Sequence, residues 1–272
     1  MADDSVAKND GQPELKPGMH PSFLNVLMQR KAIKEKTTGI KHRIGVYSAK
    51  GGVGKTTVAV NLAYAISTLG FRVGLLDLDI DCPNVTFFLG IDKVEQQEYP
   101  LRPVESHGMK VLSTAMFLEH KERPIIWRGP MKSKMLREFF ENTEWGELDY
   151  LILDLPPGTS DLPLSLMQLL ELDGILLVTT PQSISAKNAI RSGFMAKSLN
   201  VAVLGIVENM SIGEPKGSLE VAGALGTEVL GCIPRLDSFD ALSDSGLIPA
   251  EEDKQTRDAF IGIAKKLLPE QH

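Results

Sequence analysis

The chain has 272 residues, of which 43% are hydrophobic and 24% are charged, a composition typical of an ordinary globular protein. Its 35 acidic residues outnumber the 29 basic ones and give a formal net charge of −6, so no nucleic-acid partner is expected, because proteins that coat nucleic acid usually carry a net basic surface. No apolar run approaches the roughly 18 residues that a membrane span requires, and no stable membrane insertion is expected.

The chain contains two cysteines, Cys82 and Cys232, which lie far apart in the sequence. Two distant cysteines do not indicate a disulfide framework, and the predicted location is a reducing cytoplasm. The polar residues 1–11 do not resemble a secretory signal.

The first 40 residues are predicted to be a tail that precedes the folded domain. Residues 1–18 are polar and include Pro13 and Pro17, so they are expected to lack a fixed structure. Apolar spacing within 21–36 predicts a short amphipathic helix. Residues 41–272 are expected to form one folded domain, a size that a single hydrophobic core can support.

From Lys41 onward, predicted strands and helices alternate along the chain. Apolar runs predict strands at 43–48, 72–77, 110–113, 150–154, 174–180, 201–207 and 228–233. Helical periodicity predicts helices at 55–69, 131–142, 162–170, 184–199, 219–225 and 255–268. Most strands are continuous apolar runs, as expected where helices cover both faces of a sheet. This pattern predicts an α/β fold with a doubly wound, mostly parallel sheet that binds ligands at the carboxyl ends of its strands.

The segment 50–57 (KGGVGKTT) follows the first predicted strand and opens the first predicted helix. This is the context of a phosphate loop, in which glycines turn backbone amides toward a polyphosphate and the helix N-terminus adds a partial positive charge. Lys55 is expected to reach the β- and γ-phosphates, and the Thr56 hydroxyl to hold Mg²⁺. The predicted nucleotide-binding residues of the loop are Gly51, Gly52, Val53, Gly54, Lys55, Thr56 and Thr57.

The loop departs from the usual G-x-x-x-x-G-K-[ST] motif in two respects. Ala49 stands where the motif has its first glycine. Lys50 is a second lysine that phosphate binding itself does not require. Lys50 is therefore expected to have a separate role.

Three aspartates at strand ends are candidates for the chemistry at this loop. Asp77 and Asp79 end an apolar strand two residues apart, so in an extended chain their side chains share a face. Asp77 is predicted to support Mg²⁺ through water, and Asp79 to orient the attacking water. Asp154 ends a second apolar strand, which is the position of a Walker B carboxylate that holds Mg²⁺. The stiff turn after it is expected to bring the Gly158 amide toward the γ-phosphate.

Together these residues resemble the deviant Walker A ATPases, the class that contains MinD and ParA, in which an early lysine marks the phosphate loop. Lys50 stands at the position of that lysine. In the class, this lysine crosses a dimer interface to the phosphates bound by the partner. The resemblance implies that Lys50 acts in trans on the charge that develops on the transferred phosphoryl group, so that hydrolysis depends on assembly.

Five further segments resemble the Mrp/ApbC branch of this class, whose members are scaffold or carrier ATPases for iron–sulfur clusters. The segments are 75–90 (LLDLDIDCPNVTFFLG), 126–131 (IWRGPM), 145–161 (WGELDYLILDLPPGTSD), 178–182 (VTTPQ) and 203–211 (VLGIVENMS). The resemblance spans residues 42–268. It implies a homodimeric ATP hydrolase of slow turnover that uses ATP and Mg²⁺, with Asn209 and Pro234 beside the adenine ring.

The chain departs from this branch directly after the ENMS sequence. Carriers of the branch usually have a C-x-x-C pair there, and the pairs from two subunits ligate a bridging cluster. Here residues 212–219 read IGEPKGSL and contain no cysteine. A cubane cluster takes four thiolates, which two chains could supply only through Cys82 and Cys232. Nothing in their spacing suggests that they converge, so a stable bridging iron–sulfur cluster is not expected.

The stretch 116–140 combines large apolar and basic side chains, and an unknown client would dock there if anywhere. The residues are Met116, Phe117, Trp127, Phe139 and Phe140 with Lys121, Arg123, Arg128, Lys132, Lys134 and Arg137. Such residues more often form a core and its solvated face.

Three functions are compatible with these residues. The first, which they favour, is a Mg²⁺–ATP-dependent ATPase that acts in iron–sulfur cluster or metallocofactor assembly as a carrier, scaffold-like or accessory protein. The second is a regulatory or positioning ATPase of the MinD/ParA type, which would use a basic terminal helix. Phe260 and Ile263 of the last helix are instead expected to pack against the sheet. The third is a nucleotide-gated adaptor, for which damage to Lys55, Thr56 or Asp154 would be expected.

Overall fold

The computed structural model describes residues 30–91, 100–117, 129–235, 239, 241–242 and 245–268. The predicted disorder of residues 1–18, most of the predicted helix within 21–36, and residues 118–128 of the apolar and basic stretch lie outside these ranges. Residues 30–36 are helical and bury Ile33 against the domain. The division into a tail and a domain at residue 40 stays a prediction.

Within the described ranges the chain forms eight strands, and after the helical residues 30–36 it forms eight further α-helices and a short 3-10 helix (Thr114–Phe117). The strands are β1 (Ile40–Tyr47), β2 (Val73–Asp77), β3 (Val104–Ser106), β4 (Met109–Ser113), β5 (Leu148–Asp154), β6 (Gly174–Thr179), β7 (Val203–Ser211) and β8 (Val229–Pro234). The helices are α1 (Lys55–Thr68), α2 (Val85–Phe88), α3 (Gly129–Asn142), α4 (Asp161–Leu169), α5 (Ser183–Ser198), α6 (Lys216–Leu225), α7 (Pro249–Glu252) and α8 (Lys254–Leu267).

The strands form one sheet in the order β3-β4-β2-β5-β1-β6-β7-β8. Every neighbouring pair is parallel except β3 and β4, which are antiparallel at one edge. The prediction of a mostly parallel, doubly wound sheet flanked by helices is confirmed. Strand β3 and helices α2 and α7 were not predicted, because elements of three or four residues are too short to show a hydrophobic period.

The central strands are buried on both faces because helices cover the sheet on both sides. All six residues of β6 and all five of β2 are buried. Helix α1 buries Val58, Leu62 and Ile66, which are spaced four residues apart and so share one face. The last helix, α8, buries Phe260 and Ile263 against the sheet as predicted.

The order of the strands places three loops beside one another. Strand β1 lies between β5 and β6, and β5 lies between β1 and β2. In register, Asp154 is paired with Val46 of β1 on one side and with Asp77 of β2 on the other. The segments that follow β1, β2 and β5 therefore leave the same edge of the sheet, about 4.8 Å apart from strand to strand.

No helix in the part of the chain that the structure describes is both long enough and apolar enough to cross a membrane.

Candidate functional site

The phosphate loop connects β1 to α1 and takes its shape from two glycines. Gly52 and Gly54 have φ angles of 76° and 78°, in the left-handed region that other residues enter only at a cost. Gly54 is the N-cap of α1, and no side chain caps this helix end. The first amide groups of α1 are thus directed toward the loop, as a bound anion requires.

A cavity of about 480 Å³ opens above this loop. Its walls come from the three neighbouring loops and from the start of α3. They are formed by Ser48, Gly51, Gly52, Gly54, Lys55, Thr56, Thr57, Asp79, Asp81, Cys82, Asn84, Phe88, Lys132, Pro156, Pro157, Ser160 and Leu162. The structure therefore brings Asp79 and most of the predicted loop residues together, with Val53, Asp77, Asp154 and Asn209 buried around them.

Asp154 lies behind the cavity wall and is completely buried. One of its carboxylate oxygens accepts a hydrogen bond from the Lys55 ammonium at 2.5 Å, and the other accepts one from the Thr56 hydroxyl at 2.7 Å. A buried carboxylate is tolerated only with such partners. The three residues that a phosphate loop and a Walker B strand should bring together are therefore in direct contact.

Asp77 and Asp79 have different surroundings, although the sequence predicts that both face the phosphates. Asp77 is completely buried, and its carboxylate accepts hydrogen bonds from three groups of the protein. The donors are the Asp79 amide at 3.1 Å, the Val85 amide at 3.1 Å and the Ser113 hydroxyl at 2.9 Å. Burial, and then the nearby charge of Asp154, raises the pKa of Asp77 to about 7. Asp77 thus anchors the segment between β2 and α2.

Asp79 lies just beyond the end of β2 and lines the cavity. Its Oδ1 atom accepts a hydrogen bond from the Cys82 amide at 3.2 Å. Burial raises the pKa of Asp79 above its usual value, and the charge of Lys55 opposes this shift. A carboxylate with a raised pKa is a better proton acceptor.

The turn after β5 is attached to the end of β1. The Gly158 amide donates a hydrogen bond to the Ser48 carbonyl at 3.0 Å, and the Tyr47 hydroxyl donates one to the Gly158 carbonyl at 2.5 Å. The amide of Gly158 therefore contacts β1 and does not point at the cavity, contrary to the expectation from the sequence. Burial raises the pKa of Tyr47, so this phenol stays a hydrogen-bond donor.

Lys50 is exposed at the start of the loop, and the Ser48 hydroxyl donates a hydrogen bond to its carbonyl at 2.9 Å. Among the described residues, no acidic side chain forms an ion pair with the Lys50 ammonium. Lys50 is thus exposed to solvent, whereas Lys55 is buried.

Asn209 lies near the end of β7 and Pro234 ends β8, and the role in adenine binding assigned to them stays a prediction. Asn209 is buried, and its amide donates a hydrogen bond to the Val53 carbonyl at 2.9 Å. Pro234 is half-buried and pairs with Ser211 across the two strands. Asn209 thus connects the far half of the sheet to the phosphate loop.

Sequence reasoning missed two buried polar residues, Asn61 and Glu208, and the position of Lys132 at the cavity. Asn61 of α1 donates to the Thr57 carbonyl at 2.8 Å and accepts from the Ala250 amide at 2.7 Å. Glu208 is completely buried and accepts from the Ser211 and Ser218 hydroxyls, both at 2.7 Å. Lys132 pairs with Asp81. A polar residue inside an apolar run is the signal that could have revealed Asn61 and Glu208.

The two cysteines do not form a common metal site. Cys82 is exposed at the cavity, and Cys232 is half-buried on β8, where burial and then the charge of Glu208 raise the pKa of its thiol. Five strand spacings separate β2 from β8, which is about 24 Å. Within the described ranges, no group of three or more His, Cys, Asp or Glu side chains is arranged to hold a metal ion.

Of the apolar and basic stretch 116–140, Met116, Phe139 and Phe140 belong to the buried core. The prediction that such residues are mainly core therefore holds for the described apolar members. Lys132 lines the phosphate cavity.

Comparison with known proteins shows which family this chain is similar to. The family model described as ParA, NUBPL iron-transfer P-loop NTPase, matches residues 39–268. An iron–sulfur cluster carrier protein of Methanocaldococcus jannaschii is 38% identical over 97% of both chains. Another, from Aquifex aeolicus, is 41% identical over 86% of this chain and 69% of its own length.

Solved structures show the same fold. A nucleotide-binding protein in complex with ADP from Archaeoglobus fulgidus is 37% identical, with a TM-score of 0.70 over 82% of this chain and 94% of its own. The MinD cell division protein of Aquifex aeolicus is 22% identical, with a TM-score of 0.63 over 85% of this chain and 100% of its own. The resemblance to Mrp-type carriers within the MinD/ParA class is thereby confirmed. The chain belongs to the family of NUBPL iron-transfer P-loop NTPases.

Proposed function

We propose that this protein binds ATP with Mg²⁺, hydrolyses it slowly as a homodimer, and uses this cycle in the carrying or assembly of iron–sulfur clusters. The observation that carries the proposal is the contact of Asp154 with both Lys55 and Thr56, at 2.5 and 2.7 Å, behind the cavity wall. The relatives named iron–sulfur cluster carrier protein support the second part of the proposal.

The polyphosphate would lie on the loop amides of 51–57, with Lys55 exchanging part of its contact with Asp154 for the β- and γ-phosphates. The charges suit this exchange, because an ammonium on a flexible stem can turn from one anion to another. Asp154 and Thr56 present oxygen atoms, which are the ligands that Mg²⁺ prefers, and Mg²⁺ sites usually use one or two carboxylates with phosphates and waters. Bound there, the ion would neutralise charge on the β- and γ-oxygens.

Asp79 is the residue we assign to the attacking water. It lines the cavity, its carboxylate is oriented by the Cys82 amide, and its raised pKa favours acceptance of a proton. Asp77 is assigned a supporting function, because three donors of the protein already occupy its carboxylate. Asp77 would then support Mg²⁺ only indirectly, because its carboxylate holds the Asp79 amide and so keeps Asp79 in position.

Lys50 is assigned to the partner's site. Its exposure on the outside of the loop suits a cation that reaches phosphates bound by a second subunit. Such a cation stabilises charge on the transferred phosphoryl group only in the assembled dimer, as a finger residue supplied in trans does.

The cargo part of the cycle would not use a cluster bound by Cys82 and Cys232 of one chain. Strand β2, which precedes Cys82, and strand β8, which contains Cys232, are about 24 Å apart in the sheet. We therefore propose an accessory role, in which the nucleotide cycle of this protein helps a client to receive or release a cluster. A reducing, cytoplasmic location suits two free thiols.

The test separates nucleotide binding from hydrolysis in two variants. Lys55→Ala should raise the Kd for Mg²⁺–ATP about 10- to 150-fold, because hydrogen bonds to charged groups contribute roughly 1.5–3 kcal/mol. Lys50→Ala should lower kcat roughly 10³-fold, which is the lower end of the range for removal of an arginine finger supplied in trans. The Kd should change by less than about threefold. Calorimetric titration and phosphate release measure the two quantities.

The matched control is Lys187→Ala, which removes an exposed lysine of α5 and should change neither quantity. Unaltered turnover in Lys50→Ala would contradict the trans role. An unaltered Kd in Lys55→Ala would contradict the assignment of the cavity to ATP.

A further inference from the structure

An ion pair at the mouth of the phosphate cavity has no part in the function proposed above. Lys132, in the first turn of α3, donates to both carboxylate oxygens of Asp81, at 2.5 and 2.6 Å. Both residues line the cavity. The Lys132 side chain is 17% exposed, whereas that of Asp81 is 63% exposed, so the ammonium lies inside and its partner lies toward solvent.

The strand order shows which end of a bound nucleotide this pair would face. Asp81 follows β2, which lies on one side of β1, and Asn209 lies near the end of β7 on the other side. Asp79, the residue assigned to the attacking water, lies on the same side as Asp81. A triphosphate that has its base near β7 therefore presents its γ-phosphate to Asp79, Asp81 and Lys132.

In the function proposed above, Mg²⁺ and Lys55 bring positive charge to the phosphates, and a further cation at the γ-phosphate end would add to it. Lys55 is paired with the buried Asp154, and two carboxylates, those of Asp79 and Asp81, line the wall near the γ-phosphate. A terminal phosphate would be repelled by these carboxylates unless a positive charge compensates for them. Lys132 is the described cation of the cavity wall on that side, and an ion pair with a solvent-exposed partner is weak enough to be exchanged.

We propose that Lys132 is a contact to the γ-phosphate supplied by α3, and that Asp81 holds its ammonium in position until a triphosphate takes Asp81's place. The inference rests on the proposed ATP site and adds to it a residue that distinguishes ATP from ADP. It also makes α3 the element whose position depends on the terminal phosphate.

Binding of ATP and ADP by three variants tests this assignment. Lys132→Met keeps the length of the side chain and removes its charge, so the Kd for Mg²⁺–ATP should rise about tenfold and the Kd for Mg²⁺–ADP by less than about twofold. Lys132→Arg keeps the charge and should bind ATP within about threefold of the original chain. Asp81→Asn breaks the same ion pair and should not weaken ATP binding.

A second measurement reports proximity and is independent of affinity. An ATP analogue with an acyl group on its γ-phosphate transfers that group to a nearby lysine. The bond between the acyl carbon and the phosphate oxygen breaks, an amide bond to nitrogen forms, ATP leaves, and the ammonium loses its protons to solvent. Mass spectrometry should find the acyl group on Lys132, at a higher yield in Asp81→Asn, where the amine has lost its partner.

Equal loss of ATP and ADP binding in Lys132→Met and in Asp81→Asn would overturn the inference, since it would show that the pair only holds the loop. Acylation of Lys55 without acylation of Lys132 would overturn it as well. If the original chain bound neither nucleotide, the proposed function would fail, and this inference with it. Nucleotide binding by the original chain separates the two cases, because it is present when only the inference fails and absent when the proposed function fails.

Discussion

Gly54 is the residue at which the phosphate loop and strand β7 approach most closely. Its φ angle is 78°, and a Cβ atom at this position would lie 2.1 Å from Nδ2 of Asn209. The same Nδ2 atom donates to the Val53 carbonyl at 2.9 Å. Glycine is therefore required twice, for its backbone conformation and for the space that Asn209 occupies.

We expect Gly54→Ala to lower the free energy of unfolding by about 2–3 kcal/mol, from the strain of a left-handed alanine and the overlap with Asn209. In an Asn209→Ala background the overlap is removed, and the loss should fall to about 1–2 kcal/mol. Chemical denaturation without nucleotide measures both values. Gly51→Ala is the control, because a Cβ there meets nothing within 4 Å. A loss that is the same in both backgrounds would contradict the close approach.

Among the elements, β5 carries an aspartate near each of its ends, and the two aspartates have different partners. Asp154 at its carboxyl end contacts Lys55 and Thr56. Near its other end, Asp149 accepts hydrogen bonds from the Arg72 amide at 2.9 Å and from its guanidinium at 3.1 and 3.2 Å, and pairs with Lys41 at 2.9 Å. Asp149 thus joins the start of β5 to the residues that precede β2 and to β1.

This arrangement predicts a pH dependence of stability. Hydrogen bonds from Arg72, and then from Lys41, lower the pKa of Asp149 below its usual value of 3.8, so the folded state favours the charged carboxylate. Its stabilisation is present above pH 3.8 and is lost as the pH falls toward the folded-state pKa. Asp149→Asn should cost about 1 kcal/mol at pH 7, because the group is near the surface.

Denaturation of the variant and of the original chain between pH 3 and 7 measures this difference, which should shrink below about pH 4. The control is Asp258→Asn, whose exposed partner Lys254 lies at 3.5 Å and which should cost less than about 0.5 kcal/mol. A cost for Asp149→Asn that does not change with pH would contradict the electrostatic explanation.

At the scale of the whole molecule, the strand order decides what the two cysteines can do together. Cys82 follows β2 and Cys232 lies on β8, and four strands lie between them. A cluster shared by Cys82 and Cys232 within one chain would therefore have to reach across these four strands. The segment 212–216, which contains no cysteine, presents Ile212 at 72% exposure.

We therefore expect that anaerobic treatment with iron and sulfide, followed by desalting, leaves far fewer than about four irons per two chains, since a cubane cluster takes four thiolates. Bound iron and charge-transfer absorption measure the outcome. Cys82→Ser and Cys232→Ser should give the same result as the original chain. A cluster that survives desalting and disappears in either variant would contradict the accessory role.

Local patterns were sufficient to predict much of this molecule. Continuous apolar runs ending in Asp77 and Asp154 predicted buried parallel strands, because a sheet covered on both faces imposes that pattern. The segment 50–57 predicted a phosphate loop, because glycine and lysine spacing has a local geometric cause. Short elements such as α2 escaped prediction, since their existence depends on contacts such as that of the Val85 amide with Asp77.

The sequence by itself determined the fold class, the phosphate loop and the absence of a cysteine pair after ENMS, because each of these depends on residues close together in the chain. Only the tertiary structure decided that Asp79 lines the cavity while Asp77 is enclosed by three donors, that Asn209 contacts Val53, and that Lys132 meets Asp81. These pairings join residues from different strands and helices. Their side-chain partners are set by strand order and register, which no local pattern encodes.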